Sequence, residues 1–190
     1  MRAFTRFVLA TTLTISAAAA ADAASVGGVT LEDKVQLNPQ TTLVLNGGAV
    51  RKKFFIKVYA AGLYLPSKQS SPAAILAADA PRRQVMHFVF NVEKDKIAEA
   101  WEEGLHDNTP NASAEVKTAF RTLASWMEDM KKGQRIILTY VPGTGTTVEV
   151  NGKVKGTLGG KAVADAILNT WIGPNPGPGE DFKHDILGGK

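Results

Sequence analysis

The stretch Leu45-Asn46-Gly47-Gly48-Ala49-Val50-Arg51-Lys52-Lys53-Phe54-Phe55-Ile56-Lys57-Val58-Tyr59-Ala60-Ala61-Gly62-Leu63-Tyr64-Leu65-Pro66 carries the signal that decides the fold. Thr42 to Leu45 reads as a strand, and Asn46-Gly47-Gly48 has the residues a turn or bulge requires. Phe54 to Ala60 is rich in β-branched and aromatic side chains. The extended signal continues through Gly62-Leu63-Tyr64-Leu65 and stops at Pro66.

Working outward, Ser71-Pro72 opens a short helix over Ala73 to Asp79, with Ser as N-cap and Pro in the first turn. Arg83 to Asn91 alternates, with Met86, Phe88 and Phe90 on one face of a strand. Two helices are predicted next. Glu93 to His106 places Ile97, Trp101 and Leu105 at four-residue spacing. Ser113 to Lys132 repeats Val116, Phe120, Leu123, Met127 and Met130 as an amphipathic stripe, with Gly133 in the helix-ending role. Arg135 to Val141, Thr146 to Val150 and Lys153 to Leu158 read as strands, the last two joined by the hairpin signal Asn151-Gly152. A helix over Lys161 to Trp171 follows, then a Gly/Pro-rich loop from Gly173 to Gly179 and a last turn over Asp181 to Leu187. Alternating βαβ units are missing, so the class is α+β: one antiparallel sheet with helices on one face.

Arg2 and Arg6, the uncharged stretch Phe7 to Ala21, and Ala21-Asp22-Ala23 follow the grammar of a secretory signal peptide. The expected organisation is a signal peptide over 1–23 and a single domain over 24–190. Export to a bacterial periplasm is the expected destination. No cysteine is present, which removes disulfides, thiolate nucleophiles and Cys-ligated metals. No apolar run reaches the roughly 18 residues of a membrane-spanning helix. The net charge is +4, with mixed signs. Neither a basic stripe with interleaved aromatics nor a reading helix is present, so nucleic acid is not an expected partner.

Catalytic and cofactor motifs fail on inspection. Gly156-x-x-Gly159-Gly160-Lys161-Ala162 imitates a phosphate loop, but Lys155 stands where its first glycine belongs and Ala162 lacks the magnesium-holding hydroxyl. Gly143-Thr144-Gly145 opens no helix. His87, His106 and His184 show no ligand spacing, and no Gly-x-Ser-x-Gly elbow exists. No cofactor and no metal are expected. Glu102-Glu103 and Glu128-Asp129 read as solvated helix faces.

The opening stretch, together with Asn169-Thr170-Trp171-Ile172-Gly173, resembles the chalcone isomerase-like family. A Gly-rich approach to an arginine, then Lys-Val-Tyr-x-x-Gly-Leu-Tyr-Leu, is the family's strand signature, and Thr-x-Ile-Gly after a closing helix is its second mark. The resemblance spans about Val29 to Leu187. It implies an open-faced β-sandwich, a large antiparallel sheet under helices with a ligand cleft between them. It also implies three roles found in the family: plant isomerases that close a chalcone to a flavanone, plastid fatty-acid-binding proteins without a reaction, and an exported bacterial group of unsettled role.

Carried over by this resemblance, Arg51 matches the arginine that meets the ligand's negative charge, Tyr59 a tyrosine that helps hold a carboxylate in the fatty-acid binders, and Thr170 the threonine of the isomerases' closing helix. A guanidinium fork suits a carboxylate, since it binds both oxygens and keeps its charge. The isomerases' catalytic tyrosine and asparagine have no counterpart in Val92 to Gly104, which offers Lys94, Lys96 and Trp101 instead.

Plainer readings stand beside these: Arg51 as a surface strand cation, Tyr59 and Tyr64 as strand aromatics, Thr170 as a helix-terminal hydroxyl, and Trp101, Phe120 and Met127 as core by spacing, with the cleft's apolar wall as the alternative for some of them. Geometry sets a condition on the paired site. A straight strand would hold Arg51 and Tyr59 roughly 26 Å apart, at about 3.3 Å per residue. A shared site therefore requires a bend near Lys52-Lys53. The leading expectation is a non-catalytic binder of a small amphipathic carboxylate such as a fatty acid. An intramolecular-lyase isomerase and a ligand-free interaction module are the alternatives.

Overall fold

The computed structural model describes residues 23–189. The signal-peptide reading of the N-terminus thus lies almost wholly outside the described residues. β1 (Ala23–Val26) and β2 (Val29–Glu32) form a small hairpin. Seven further strands make one antiparallel sheet in sequence order: β3 (Lys34–Asn38), β4 (Thr41–Lys53), β5 (Ile56–Leu65), β6 (Arg82–Phe88), β7 (Arg135–Val141), β8 (Gly145–Val150) and β9 (Lys153–Leu158). The helices are α1 (Pro72–Ala77), α2 (Lys94–Asn108), α3 (Ala114–Ser125), α4 (Lys161–Ile172) and α5 (Glu180–Ile186). This is the expected α+β class.

Alternation along β5 shows why the sheet has two unlike faces. Tyr59, Ala61, Leu63 and Leu65 join the large core under the helices, with Phe88, Phe120, Leu123, Ile167 and Trp171. Ala60 and Tyr64 point the other way and pack with Val29, Leu31, Leu43 and Leu45 beneath the β1–β2 hairpin. Buried on both sides, β5 carries no water-facing polar residue from Tyr59 to Leu65, which is why it reads as a continuous apolar run.

The opening stretch folds back on itself. Phe54-Phe55 is the two-residue turn of the β4–β5 hairpin, not the start of a strand as its side chains predict. Phe54 adopts a positive φ of 56°, a position that glycine usually fills. The expected bend therefore exists, one residue beyond Lys52-Lys53. Neither does Asn46-Gly47-Gly48 end its strand. β4 runs through all three, and the pairing slips by one residue between Leu45 and Gly47, leaving Asn46 as a bulge. The buried Asn46 amide donates to the Ile186 carbonyl at 3.1 Å and its oxygen accepts from the Gln69 N–H at 2.7 Å. A Cβ at Gly47 would stand 2.3 Å from the Asp185 carbonyl oxygen, so this strand lets α5 dock directly on its backbone.

The third helix is shorter than its stripe predicts. It stops at Ser125, and Gly133 does not cap it. Thr118, Thr122 and Ser125 turn their hydroxyls back onto carbonyls of their own helix, which weakens its continuation. Beyond it, Met130 and Val92 exchange both backbone hydrogen bonds at 2.8 Å, and the Gly133 N–H donates to the Phe88 carbonyl. Met127 and Met130 are buried all the same. The stripe marks the core correctly and the helix end wrongly.

Candidate functional site

Pairing across β4 and β5 sets Arg51 directly opposite Tyr59. Residues so paired share a face, with Cβ atoms about 5 Å apart. A second slip in register, between Arg51 and Lys52, makes Val58 a bulge whose carbonyl accepts from the Val89 and Phe90 N–H groups at 3.0 and 3.2 Å. That bulge re-aims the strand just before Tyr59.

Arg51, Tyr59 and Thr170 line one cavity of about 200 Å³ between the sheet and helices α2 and α4. Its apolar walls include Met86, Phe88, Ile97 and Trp171, and Gly177-Pro178 of the Gly/Pro-rich loop closes one side. Lys53, Lys96, Glu99 and Glu103 stand at its charged rim. Lys96 is already engaged by Glu99 at 2.8 Å, with both side chains exposed.

Each polar group has a distinct state. Arg51 is half-buried and makes no salt bridge or side-chain hydrogen bond among the described residues. Tyr59 is buried in an aromatic enclosure, its ring 5.6 Å from Phe88 and 6.2 Å from Phe182, which in turn meets Trp171 edge-on at 5.3 Å. Burial pushes the Tyr59 phenol up, while the Arg51 charge and the Trp171 indole offset part of the rise. The phenol therefore keeps its proton at neutral pH and acts as a donor, not a base. The Thr170 hydroxyl donates to the Ile167 carbonyl at 2.8 Å, so only its lone pairs remain for a ligand.

One donor was legible in the sequence only as core or as part of the cleft's apolar wall. Trp101 lines the cavity, and its buried indole N–H has no partner among the described residues. Four-residue spacing marks this residue as core, and no sequence signal separates a core indole from one that edges a cavity. Lys96 and Trp101, both from the stretch without the isomerases' tyrosine and asparagine, reach the cavity; Lys94 does not line it.

Two close approaches shape the walls. A Cβ at Gly104 would sit 2.9 Å from the Thr170 side chain, so glycine brings α2 against α4. The Asn108 amide donates to the Gly104 and Asn175 carbonyls at 3.0 and 2.8 Å and accepts from the Asn175 N–H at 2.8 Å. That side chain, with both N–H groups and its oxygen engaged, ties the Gly/Pro-rich loop to α2.

A second and more open groove, about 500 Å³, runs between α3 and the β9–α4 turn. Its lining has Glu115 as the sole charged residue and no buried polar donor, so it offers a ligand shape without recognition chemistry. Among the described residues no group of three or more His, Asp or Glu is placed to hold a metal ion. No helix there is long and apolar enough to cross a membrane.

A family model described as chalcone isomerase-like matches residues 23–188. The chain belongs to the chalcone isomerase-like family. Its fold is similar to the crystal structure of a fatty-acid binding protein of Arabidopsis thaliana, AtFAP1. The TM-score is 0.67 at 16% identity, over 87% of this chain and 96% of that one. No curated protein matches the chain. At that identity the structural likeness speaks for the family's fold, and the chemistry of the cavity has to be argued from its own residues.

Proposed function

We propose that the cavity binds a small amphipathic carboxylate, such as a fatty acid, and performs no reaction on it. The observation that carries this reading is the unpaired Arg51 guanidinium set opposite a buried, protonated Tyr59 at an apolar cavity. A carboxylate would accept from both, and the free Trp101 N–H is a third donor at the same cavity. The tail would lie along Met86, Phe88, Ile97 and Trp171. Such a pocket, apolar with a few placed polar groups, is the usual form of a small-molecule site. At about 200 Å³ it is smaller than the roughly 300–1,000 Å³ of drug-sized pockets, which favours a short acyl tail. The fatty-acid binding role named for the structural neighbour supports the same ligand class. An enzyme would need an acid or base tuned toward neutral pH, and the one buried ionisable group on the walls, Tyr59, is moved away from it.

The reading extends to location. The family match begins at residue 23, where the signal-like leader ends, in keeping with an exported mature chain. N-terminal sequencing of protein recovered from the periplasm should start near Ala24.

The binding test is direct. Protein purified without detergent should release a carboxylic acid into organic solvent, identified by mass spectrometry. In calorimetric titration with a short-chain fatty acid, Arg51→Ala should bind about 10- to 100-fold more weakly, the worth of a charged hydrogen-bond partner. Tyr59→Phe, which keeps the ring and loses one neutral donor, should cost only about threefold to tenfold. An Arg51→Ala protein that binds as tightly as the parent would overturn the proposal.

A further inference from the structure

We propose that the tip of the β4–β5 hairpin is a docking element for an anionic lipid bilayer. The inference goes beyond the binding reading and does not depend on it.

Phe54 and Phe55 are 87% and 101% exposed, at the apex of a turn where folding gains nothing from an aromatic side chain. Ile56 beside them is exposed too, and so is Phe90, whose N–H is bonded to the Val58 carbonyl at the same end of the sheet. Isolated exposed apolar residues are ordinary; three in a row at one hairpin tip, with a fourth at the same end of the sheet, are not. The backbone sharpens the point. Phe54 holds a positive φ that disfavours a bulky L-residue, in a turn whose usual occupants are Asn and Gly. The hairpin accepts poor turn chemistry to present two phenyl rings.

Charge identifies the occupant. Behind the tip stand Arg51, Lys52, Lys53 and Lys57, and the whole segment from Lys34 to Ala78 contains six cations and no acidic residue. Aromatic residues beyond a basic collar match a bilayer's two layers, with phenyl rings entering the acyl boundary while the lysines meet anionic headgroups. A second copy of this chain fits less well, since a two-fold contact through the tip would set one basic collar against another. The cavity lies directly behind this element, with Lys53, Arg51 and Val58 on its lining.

The full chain should co-sediment with vesicles of phosphatidylglycerol and phosphatidylcholine, more weakly as salt rises, and bind poorly to pure phosphatidylcholine. Phe54→Ser/Phe55→Ser should lower the partition coefficient about tenfold or more, and Lys52→Gln/Lys57→Gln should lower it and flatten its salt dependence. These residues are exposed, so both variants should keep the parent's circular dichroism. Phe55→Trp adds an indole whose emission should shift to the blue and be quenched by bilayer-brominated lipid. That readout reports the tip itself, whatever residues 1–22 do. An added indole that stays in water while the chain binds vesicles would overturn the proposal. So would unchanged partitioning of Phe54→Ser/Phe55→Ser, or no vesicle binding alongside a tip-dependent dimer in sedimentation velocity.

Discussion

Arg82 faces Tyr140 across β6 and β7 just as Arg51 faces Tyr59 across β4 and β5, and both pairs stand on the helix-facing side of the sheet. Their surroundings differ completely. Arg82 is 3% exposed, donates to Asp165 at 2.6 Å and lies 5.0 Å over the Tyr140 ring. Tyr140 donates to Asp79 at 2.6 Å, and Lys161 reaches the other Asp165 oxygen and the Leu76 carbonyl. At Arg51 no described carboxylate takes that place. A guanidinium drawn into a core needs a counter-charge, and the fold supplies one where the pair is structural. Where none of the described residues supplies it, next to a cavity, the proposed ligand's carboxylate would take that place. Helix α4 links the two, with Asp165 at the closed pair and Thr170 and Trp171 at the open one, about 8 Å farther along its axis.

The Arg82 pair depends most on its counter-charge. Asp165→Ala removes the only carboxylate on Arg82 among the described residues and leaves a buried charge without compensation, so it should cost about 3–5 kcal/mol in urea unfolding. A loss below about 1 kcal/mol would mean that Arg82 is solvated, and the contrast with Arg51 would vanish.

Alkaline titration probes both pairs together. The protein's three tyrosines are all shifted upward. Tyr64 rises from 10.0 to about 12 through burial, with Glu32 next; Tyr140 rises to about 12 through burial and its bond to Asp79. Each phenol holds its proton more tightly folded than unfolded. The stability this represents is whole below about pH 10 and is lost as pH climbs toward 12. Tyrosinate absorbance should therefore appear together with the loss of near-ultraviolet circular dichroism. A tyrosine that ionises near pH 10 in the folded protein would show an open phenol where a buried one is described.

Gly104→Ala tests the cavity wall. The added methyl meets Thr170 at 2.9 Å, inside any ordinary contact, so α2 must shift away from α4 at about 1–3 kcal/mol. Because the same contact shapes the cavity, ligand affinity should fall with stability. Affinity left intact would show that Thr170 lies outside the bound ligand's reach.

What the sequence revealed of these two regions followed the range of the physics involved. Strand periodicity and Asn151-Gly152, whose φ values of 51° and 78° suit the hairpin signal, are local and were legible. The Arg51–Tyr59 juxtaposition was legible only because a shared carboxylate demanded a bend, as Phe54-Phe55 gives no turn signal. The α3 end was misread because Met127 and Met130 keep helical spacing beyond the helix, Met127 in a turn back onto Ala124 and Met130 in a bridge to Val92. Arg82 and Asp165 lie 83 residues apart and Asn46 and Ile186 140 apart, distances at which no local pattern speaks. Trp101 was legible as buried, whereas its missing partner is a fact of packing alone.

The smallest expected effect discriminates best. Arg51→Met keeps the stem's length and apolar contacts and removes a charge that nothing in the described chain answers. Its unfolding free energy should stay within about 0.5 kcal/mol of the parent's, as for a surface position without a partner. The result is informative only beside Asp165→Ala, because both variants disturb a guanidinium site on one face of one sheet. A loss of about 2 kcal/mol or more in Arg51→Met would mean that the folded chain itself holds this arginine, and a ligand would then have to compete for it. A near-zero change, with fatty-acid binding lost, would assign Arg51's charge to the ligand and Arg82's to the fold.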